Sequence, residues 1–288
     1  MTPVHPLDRL SPEQVEQVLA LARAADDTDG TAPLSEQVML HLDRSGTHLV
    51  VEQHGHVVGY AQIDDDAAEL VIHPLHRRRG LGRALAAAVL AARGDGDLKV
   101  WAHGDHPSAS ALAIRLHFDR ARVLLQLRRS LSRPLADFQM PAGVLLRAFV
   151  PGADDERWLA LNSAAFAEHP EQGRWTLDDL RLRLAEPWFD PAGFLLAERD
   201  GELVGFHWTK VHPGPEPIGE VYVLGVAPGA HGGGLGRALT LAGLHHLRGR
   251  GLAQVMLYVD EDNPRAVALY RGQGFVRWTG DVQYRRGH

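Results

Sequence analysis

Cysteine is absent from all 288 residues. Disulfides, thiolate metal sites and cysteine nucleophiles are therefore excluded. Lysine is almost absent, Lys99 and Lys210 being the only two, so arginine carries the basic charge. Long apolar runs are missing as well. The longest, Ala84 to Ala92, is far short of the roughly 18 residues a membrane-spanning helix needs. No basic region followed by an apolar one opens the chain, so no signal peptide is read and a cytoplasmic location is expected. Positive charge is not in excess: the formal net charge is −6, which argues against a nucleic-acid partner. The pairs His54/His56 and His245/His246 lack the spacing of a helical zinc site and read as surface residues, so no metal is expected. The length suits two domains of ordinary size.

What the chain does have is glycine, concentrated in the stretch Gly219 to Leu239, GEVYVLGVAPGAHGGGLGRAL. An apolar strand, Val221 to Val226, turns at Ala227-Pro228-Gly229, passes three consecutive glycines and enters a helix at Leu235. A glycine loop between a strand and a helix N-terminus is an anion site. The backbone can come close, exposed N–H groups face the ligand, and the helix dipole favours negative charge. No Gly-Lys-Ser/Thr follows, so this is not a Walker A loop, and the Gly-x-Gly-x-x-Gly order of dinucleotide folds is absent.

The stretch occurs twice. Pro74 to Leu85 repeats Pro228 to Leu239, with Gly-Leu-Gly-Arg-Ala-Leu identical. Upstream, Leu49-Val50-Val51-Glu52, Gly55 and Val57-Val58-Gly59-Tyr60 match Leu195-Leu196-Ala197-Glu198, Gly201 and Leu203-Val204-Gly205-Phe206 at the same spacing. Downstream, Pro107-Ser108-Ala109 and Phe118 match Pro264-Arg265-Ala266 and Phe275. Three blocks in one order indicate a tandem duplication. The segment from Ser132 to Gly143, with two prolines and little periodicity, reads as the linker. The expected domains are 1–135 and 142–288, with the linker over 132–143.

Each copy reads as a mixed α/β unit. Ser11-Pro12-Glu13-Gln14 carries the signs of a capped helix start, and Ser35 to Leu42 reads as a short helix bearing Glu36. Strands are expected at Leu49 to Gln53, Val57 to Ile63, Glu69 to His73 and Leu98 to Ala102, and a late strand at Val123 to Ser130. In the second copy, strands are expected at Val144 to Phe149, Phe194 to Glu198, Leu203 to Val211 and Gln254 to Val259. Thr176 and Asn263 are expected to cap helices.

His231-Gly232-Gly233-Gly234-Leu235-Gly236, followed by Arg237, resembles motif A of the GNAT superfamily of acyl-CoA N-acyltransferases, with His where Gln or Arg is usual. In the first copy Arg77 supplies the usual basic position. The resemblance implies two tandem GNAT domains, each a mostly antiparallel mixed sheet with flanking helices. It also implies acetyl-CoA as cosubstrate, with a site in each copy. In the second copy that site would comprise Leu224, Gly225 and Val226, the loop His231 to Arg237 (Gly232, Gly233, Gly234, Leu235 and Gly236 included), and Asn263, Pro264, Arg265, Ala266, Val267 and Ala268. In the first copy Leu70, Val71, Ile72, Arg78, Arg79, Gly80, Leu81, Gly82 and Arg83 correspond.

The resemblance further implies Glu220 as base and Tyr270 as the acid that protonates the coenzyme A sulfur. The first copy lacks the pair: Asp66 stands opposite Glu220, Ala113 opposite Tyr270 and Trp101 opposite Tyr258. A cofactor-binding but catalytically weak first copy is therefore expected. Three further traits narrow the resemblance: Ala165 to Gly173 (AFAEHPEQG), Leu224 to Pro228, and Leu257-Tyr258-Val259 ahead of Asp262-Asn263-Pro264. They are similar to a branch of fused GNAT pairs that acetylate the cysteinyl amine of a glucosaminyl-inositol. That likeness implies a small thiol-sugar acceptor held by Glu36, Glu171, Lys210, Glu220 and Tyr258, in a monomer. A tandem GNAT enzyme for another amine or a protein N-terminus, and a non-catalytic acetyl-CoA sensor, remain alternatives.

Overall fold

The structure, a computed structural model, describes residues 3–94, 96–169 and 172–287. The chain divides into two compact units. Unit 1 is Met1–Leu125, Asp260–Asp262 and Thr279–His288; unit 2 is Gln126–Val259 and Asn263–Trp278.

Unit 1 begins with β1 (His5–Leu7) and α1 (Pro12–Asp29). The start of α1 follows from three residues. Ser11 Oγ accepts the Gln14 amide, the Gln14 side chain accepts the Ser11 amide, and Pro12 takes a first-turn position where no N–H is needed. Then come α2 (Glu36–Leu40), β2 (Thr47–Gln53), β3 (His56–Asp64), β4 (Ala67–Ile72), α3 (Leu81–Arg93), β5 (Leu98–Ala102) and α4 (Pro107–Arg115). The β2–β3 hairpin turns through positive φ at His54 and Gly55. Strands β1 to β4 are antiparallel neighbours. The β4–β5 pair is parallel, and its register comprises Ala67–Lys99 and Ala68–Val100, after which the strands part. Helix α3 buries Leu81, Leu85 and Val89 on one face of the sheet with Val51, Ile72 and Leu98. Helix α1 buries Val18, Leu21 and Ala25 on the other with Val50, Tyr60 and Val71. Each such aliphatic side chain removed from water contributes about 1.5–3 kcal/mol.

Strand β6 (Asp119–Ser130) contributes residues to both units. Unit 2 continues with β7 (Val144–Ala148), α5 (Asp155–Ala165), α6 (Leu177–Leu184), β8 (Phe194–Arg199), β9 (Glu202–His212), β10 (Ile218–Val226), α7 (Leu235–Gly249), β11 (Gln254–Asp260) and α8 (Pro264–Arg271). Its strand order is β7-β8-β9-β10-β11-β6. Strands β7 to β10 are antiparallel, whereas β10 and β11 are parallel and pair at Gly219–Val255, Glu220–Met256 and Val221–Leu257 before parting. The register between β9 and β10 shifts between Val221 and Val223, so Tyr222 occupies a bulge. One face of this sheet packs an aromatic core of Trp158, Phe194, Phe206 and Trp208, with the Phe194 and Trp208 rings stacked at 4.2 Å. Helix α7 covers the other face. It comes close enough that a Cβ on Gly243 would lie 2.0 Å from the His207 ring, so only glycine fits there. His245 and His246 on this helix are half-buried rather than surface residues, and His246 Nε2 lies 3.4 Å from Asp190.

The last strand, β12 (Val276–Arg286), returns to unit 1, where Val282 to Arg286 pair antiparallel with Ala102 to Leu98. Val282 and Tyr284 are part of that unit's core. The division therefore differs from the expected domains 1–135 and 142–288 and the linker 132–143. Residues 126–135 group with unit 2, and 279–288 with unit 1. Loss of periodicity marks where a chain turns irregular, but it does not mark which strand a later segment will pair with. Among the described residues no helix is long and apolar enough to cross a membrane.

Candidate active site

In unit 2 the glycine loop ends at Gly234, which caps α7 in a left-handed conformation (φ 79°) and makes no side-chain cap bond. The first-turn amides of α7 are thus left without a side-chain acceptor and suit an anion. Gly232 also needs its positive φ of 93°. Gly233 does not, and a Cβ there would meet nothing, so no protein atom accounts for it. Unit 1 builds the same loop differently. Gly80 caps α3 at φ 83°, but Arg78 takes the left-handed position (φ 63°) that Gly232 holds in unit 2. Arg77 is turned inward, with both terminal nitrogens 2.7 Å from the Asp29 carboxylate, which it holds below the usual carboxylate range.

Glu220 lies on β10 one rung before the strands part, and it is buried. Its Oε2 is 2.6 Å from His212 Nε2. Lys210 is its register partner on β9; the buried ammonium sits 4.5 Å above the Trp188 ring and 5.1 Å from the Tyr222 ring. Arg183 Nε donates to the Tyr222 hydroxyl at 2.8 Å. On β11, Tyr258 stands two residues beyond Met256, the partner of Glu220, and so shares that face; its hydroxyl accepts from Gln126 Nε2 at 2.7 Å. Helix α8 begins with the Asn263 carbonyl accepting the Ala266 amide at 3.0 Å and Pro264 at its first position. Tyr270 near its end is buried, and burial pushes its hydroxyl up to about 12. It is therefore protonated at neutral pH.

Unit 1 holds a cavity of about 490 Å³ where β4 and β5 part. Leu70, Val71, Ile72, Arg78, Gly80, Gly82 and Arg83 line it, with Ala113 and Trp101. Arg79 is exposed on the loop, and the Leu81 side chain turns into the core. Beside the cavity stands His103, whose Nδ1 and Nε2 donate to Asp281 at 3.0 Å and to Glu69 at 3.2 Å. Burial alone would lower the His103 value, but its bonds to Asp281 and Glu69 override this and push it up to about 10. Burial would raise Glu69, but the bonds from His103 and the Ser35 amide (2.6 Å) hold it below its ordinary value. Asp66, opposite Glu220 in the repeat, is bound to Lys99 at 2.5 Å.

This arrangement can be set against known proteins. Residues 158–275 match the model of the Acetyltransferase (GNAT) family, and residues 44–118 that of an Acetyltransferase (GNAT) domain. A mycothiol acetyltransferase of Salinispora arenicola is 59% identical, the match covering 97% of this chain and 95% of that protein. One from Frankia alni is 58% identical over 96% of this chain and 92% of its own. The chain belongs to the mycothiol acetyltransferase family. It is an acetyl-CoA-dependent acyltransferase with two GNAT domains. A solved tandem GNAT protein from the clavulanic acid biosynthesis pathway shares the fold, with a TM-score of 0.73 at 23% identity, covering 99% of this chain and 98% of that one.

Among the positions expected to serve the acceptor in this family member, Lys210, Glu220 and Tyr258 lie on adjacent strands of unit 2. Glu36 is in unit 1, in the first turn of α2. Glu171 lies outside the described residues. Leu224, Gly225 and Val226 end β10, but Gly225 has a second reason to be glycine: a Cβ would lie 2.5 Å from the Phe206 ring. His231 to Gly234 and Arg237 are exposed, Leu235 is buried, and Gly236 is half-buried. On α8, Arg265 and Ala268 are exposed and Val267 is buried. Sequence reasoning missed His212, Trp188, Tyr222 and Gln126. His212 had a signal, standing two residues after Lys210 on one strand and hence on its face. Trp188 and Gln126 come from distant segments and had none.

Proposed function

We propose that the protein moves acetyl from acetyl-CoA to the cysteinyl amine of 1D-myo-inositol 2-(L-cysteinylamino)-2-deoxy-α-D-glucopyranoside, the last step of mycothiol biosynthesis, and that unit 2 does the chemistry. The reading rests on one observation above the others: Glu220 is buried on β10, in the last but one pair before β10 and β11 part. Glu220 takes a proton from the acceptor's ammonium. The freed amine attacks the thioester carbonyl, whose oxygen is met by main-chain N–H groups at the end of β10. As the carbon–sulfur bond breaks, Tyr270 gives its proton to the thiolate, and the second proton of the attacking nitrogen restores the Tyr270 hydroxyl. Lys210 and Tyr258 donate to acceptor oxygens, and Glu36 and Glu171 hold its ammonium or hydroxyl groups. The amides of the α7 first turn and the loop His231 to Gly236 hold the pyrophosphate, and Asn263 to Ala268 flank it.

Unit 1 binds a second acetyl-CoA without turning it over. Its acids are already engaged, Asp66 with Lys99 and Glu69 with His103 and Ser35, and Ala113 replaces the tyrosine. The test is mass spectrometry of the product formed from acetyl-CoA and the cysteinyl amino-sugar. One N-acetyl group on the cysteinyl amine is expected. Turnover of other amines but not of this one would overturn the acceptor. Binding of acetyl-CoA with no turnover on any amine would leave a sensor.

A further inference from the structure

Every turnover of the proposed reaction releases a proton that must leave the enzyme. The acceptor enters as an ammonium and departs as a neutral amide. One of its protons is matched by the thiol of the departing coenzyme A, and one is left over. Glu220 takes that one, and Glu220 must be ionised again before the next acceptor can be deprotonated. Its side chain is only 8% exposed, so direct return to bulk water is poor. The other partner of its carboxylate is better placed. His212 Nε2 lies 2.6 Å from Glu220 Oε2, and the His212 side chain is 34% exposed.

We propose that His212 is the outlet for the proton that Glu220 collects, a positioning and relay residue that acts through Glu220. The inference rests on Glu220 being the base, as proposed above. The O–H bond of protonated Glu220 breaks as the N–H bond forms at His212 Nε2. The resulting imidazolium stands beside a carboxylate, which offsets its charge. A proton then leaves to solvent from the imidazolium, and the neutral ring and the carboxylate are restored. Nothing is oxidised or reduced, and no other reagent is needed.

The surroundings favour this route. Among the described residues, the charged and titratable groups on this face include Lys210 and His212 from β9, Tyr222 from β10, Arg183 from α6 reaching the Tyr222 hydroxyl, and Tyr258 from β11, with Arg128 bound to the Gln126 that meets it. Lys210 is buried over aromatic rings, and the Arg183 guanidinium is buried over the Trp175 ring. Histidine is the side chain whose ordinary titration range lets it both accept and release a proton near neutrality. Fold geometry alone would not require it, since a glutamine at 212 could hold Glu220 in place through one N–H.

The test is a pair of variants, His212→Gln and His212→Ala, assayed with both substrates over a pH series. Glutamine keeps a donor but carries no proton; alanine opens space for a diffusible base. We expect kcat to fall by about 10- to 100-fold in both, with the acetyl-CoA KM unchanged and the pH profile of kcat altered. Added imidazole should restore His212→Ala in proportion to its free-base concentration, after subtraction of any turnover without acceptor. Wild-type kcat and pH profile in His212→Gln would overturn the relay, as would failure of imidazole to rescue a folded His212→Ala. Should His212→Ala not fold, His212→Gln decides. Glu220→Gln separates the two readings: full activity there removes the base itself, whereas an inactive Glu220→Gln beside an unimpaired His212→Gln removes only the outlet.

Discussion

Single residues in unit 2 separate chemistry from stability. Tyr270 is buried with its hydroxyl pushed up to about 12, so it is protonated throughout the neutral range. Tyr270→Phe keeps the ring and its packing on Phe275 and removes only the proton. We expect kcat to drop by roughly 100-fold with little change in the acceptor KM; unchanged turnover in steady-state assays would rule out Tyr270 as the acid. His207 is a structural histidine. It is fully buried, its Nδ1 donates to the Leu239 carbonyl at 2.7 Å, and burial lowers its value to about 4 despite that bond. Its folded value thus lies below the ordinary 6.5. Between the two, the unfolded chain binds more protons than the folded one. The contribution to stability is complete above pH 6.5 and falls as pH drops toward 4, by up to about 3 kcal/mol. Urea titrations at pH 7 and pH 5 should show it, and His207→Leu should flatten the slope. An unaltered slope would place the acid sensitivity elsewhere. Gly243→Ala should cost about 1–3 kcal/mol, because the new methyl group enters the space of that ring.

At the level of elements, the decisive one is β12. It delivers Asp281 to His103, and Asp281 Oδ1 also accepts the Gly104 amide at 2.8 Å. Asp281→Asn leaves a buried imidazolium with one carboxylate, and we expect a loss of about 3 kcal/mol in denaturant unfolding of unit 1. The pH dependence here has the opposite sign to that of His207. His103 has a raised folded value, so its contribution is complete below pH 6.5 and is lost as pH rises through about 10. Elements with local causes were legible in the sequence: the capping box of α1, the glycine cap of α7, the Asn263-Pro264 start of α8. So was the duplication, because its blocks keep their spacing. The destination of β12 was not, since His103 and Asp281 stand 178 positions apart and no local pattern joins them. For the same reason Trp188 under Lys210 went unread, whereas His212 was within reach of simple strand alternation. The expectation of a weak first copy rested on missing residues. In the structure Asp66 is paired with Lys99 and Glu69 with His103.

For the whole molecule, the reading of two acetyl-CoA sites and one catalytic unit has a direct stoichiometric consequence. Calorimetry should find two acetyl-CoA bound per chain. Arg83→Glu, on the loop that lines the unit 1 cavity, should reduce this to one while kcat stays within about twofold. A large fall in kcat would overturn the assignment of chemistry to unit 2. The path of the chain also bears on how the protein is made. Domains generally fold as units, the N-terminal one first, while synthesis proceeds at about 5–20 residues per second. Unit 1 cannot follow that order to completion, because its share of β12, from Thr279 to Arg286, is translated after every residue of unit 2. The nascent unit 1 must wait on the ribosome with Leu98 to Ala102 short of a neighbour and His103 short of a counter-ion. Val282 to Arg286 complete it, so a chain cut before them would damage the first half of the protein before the second.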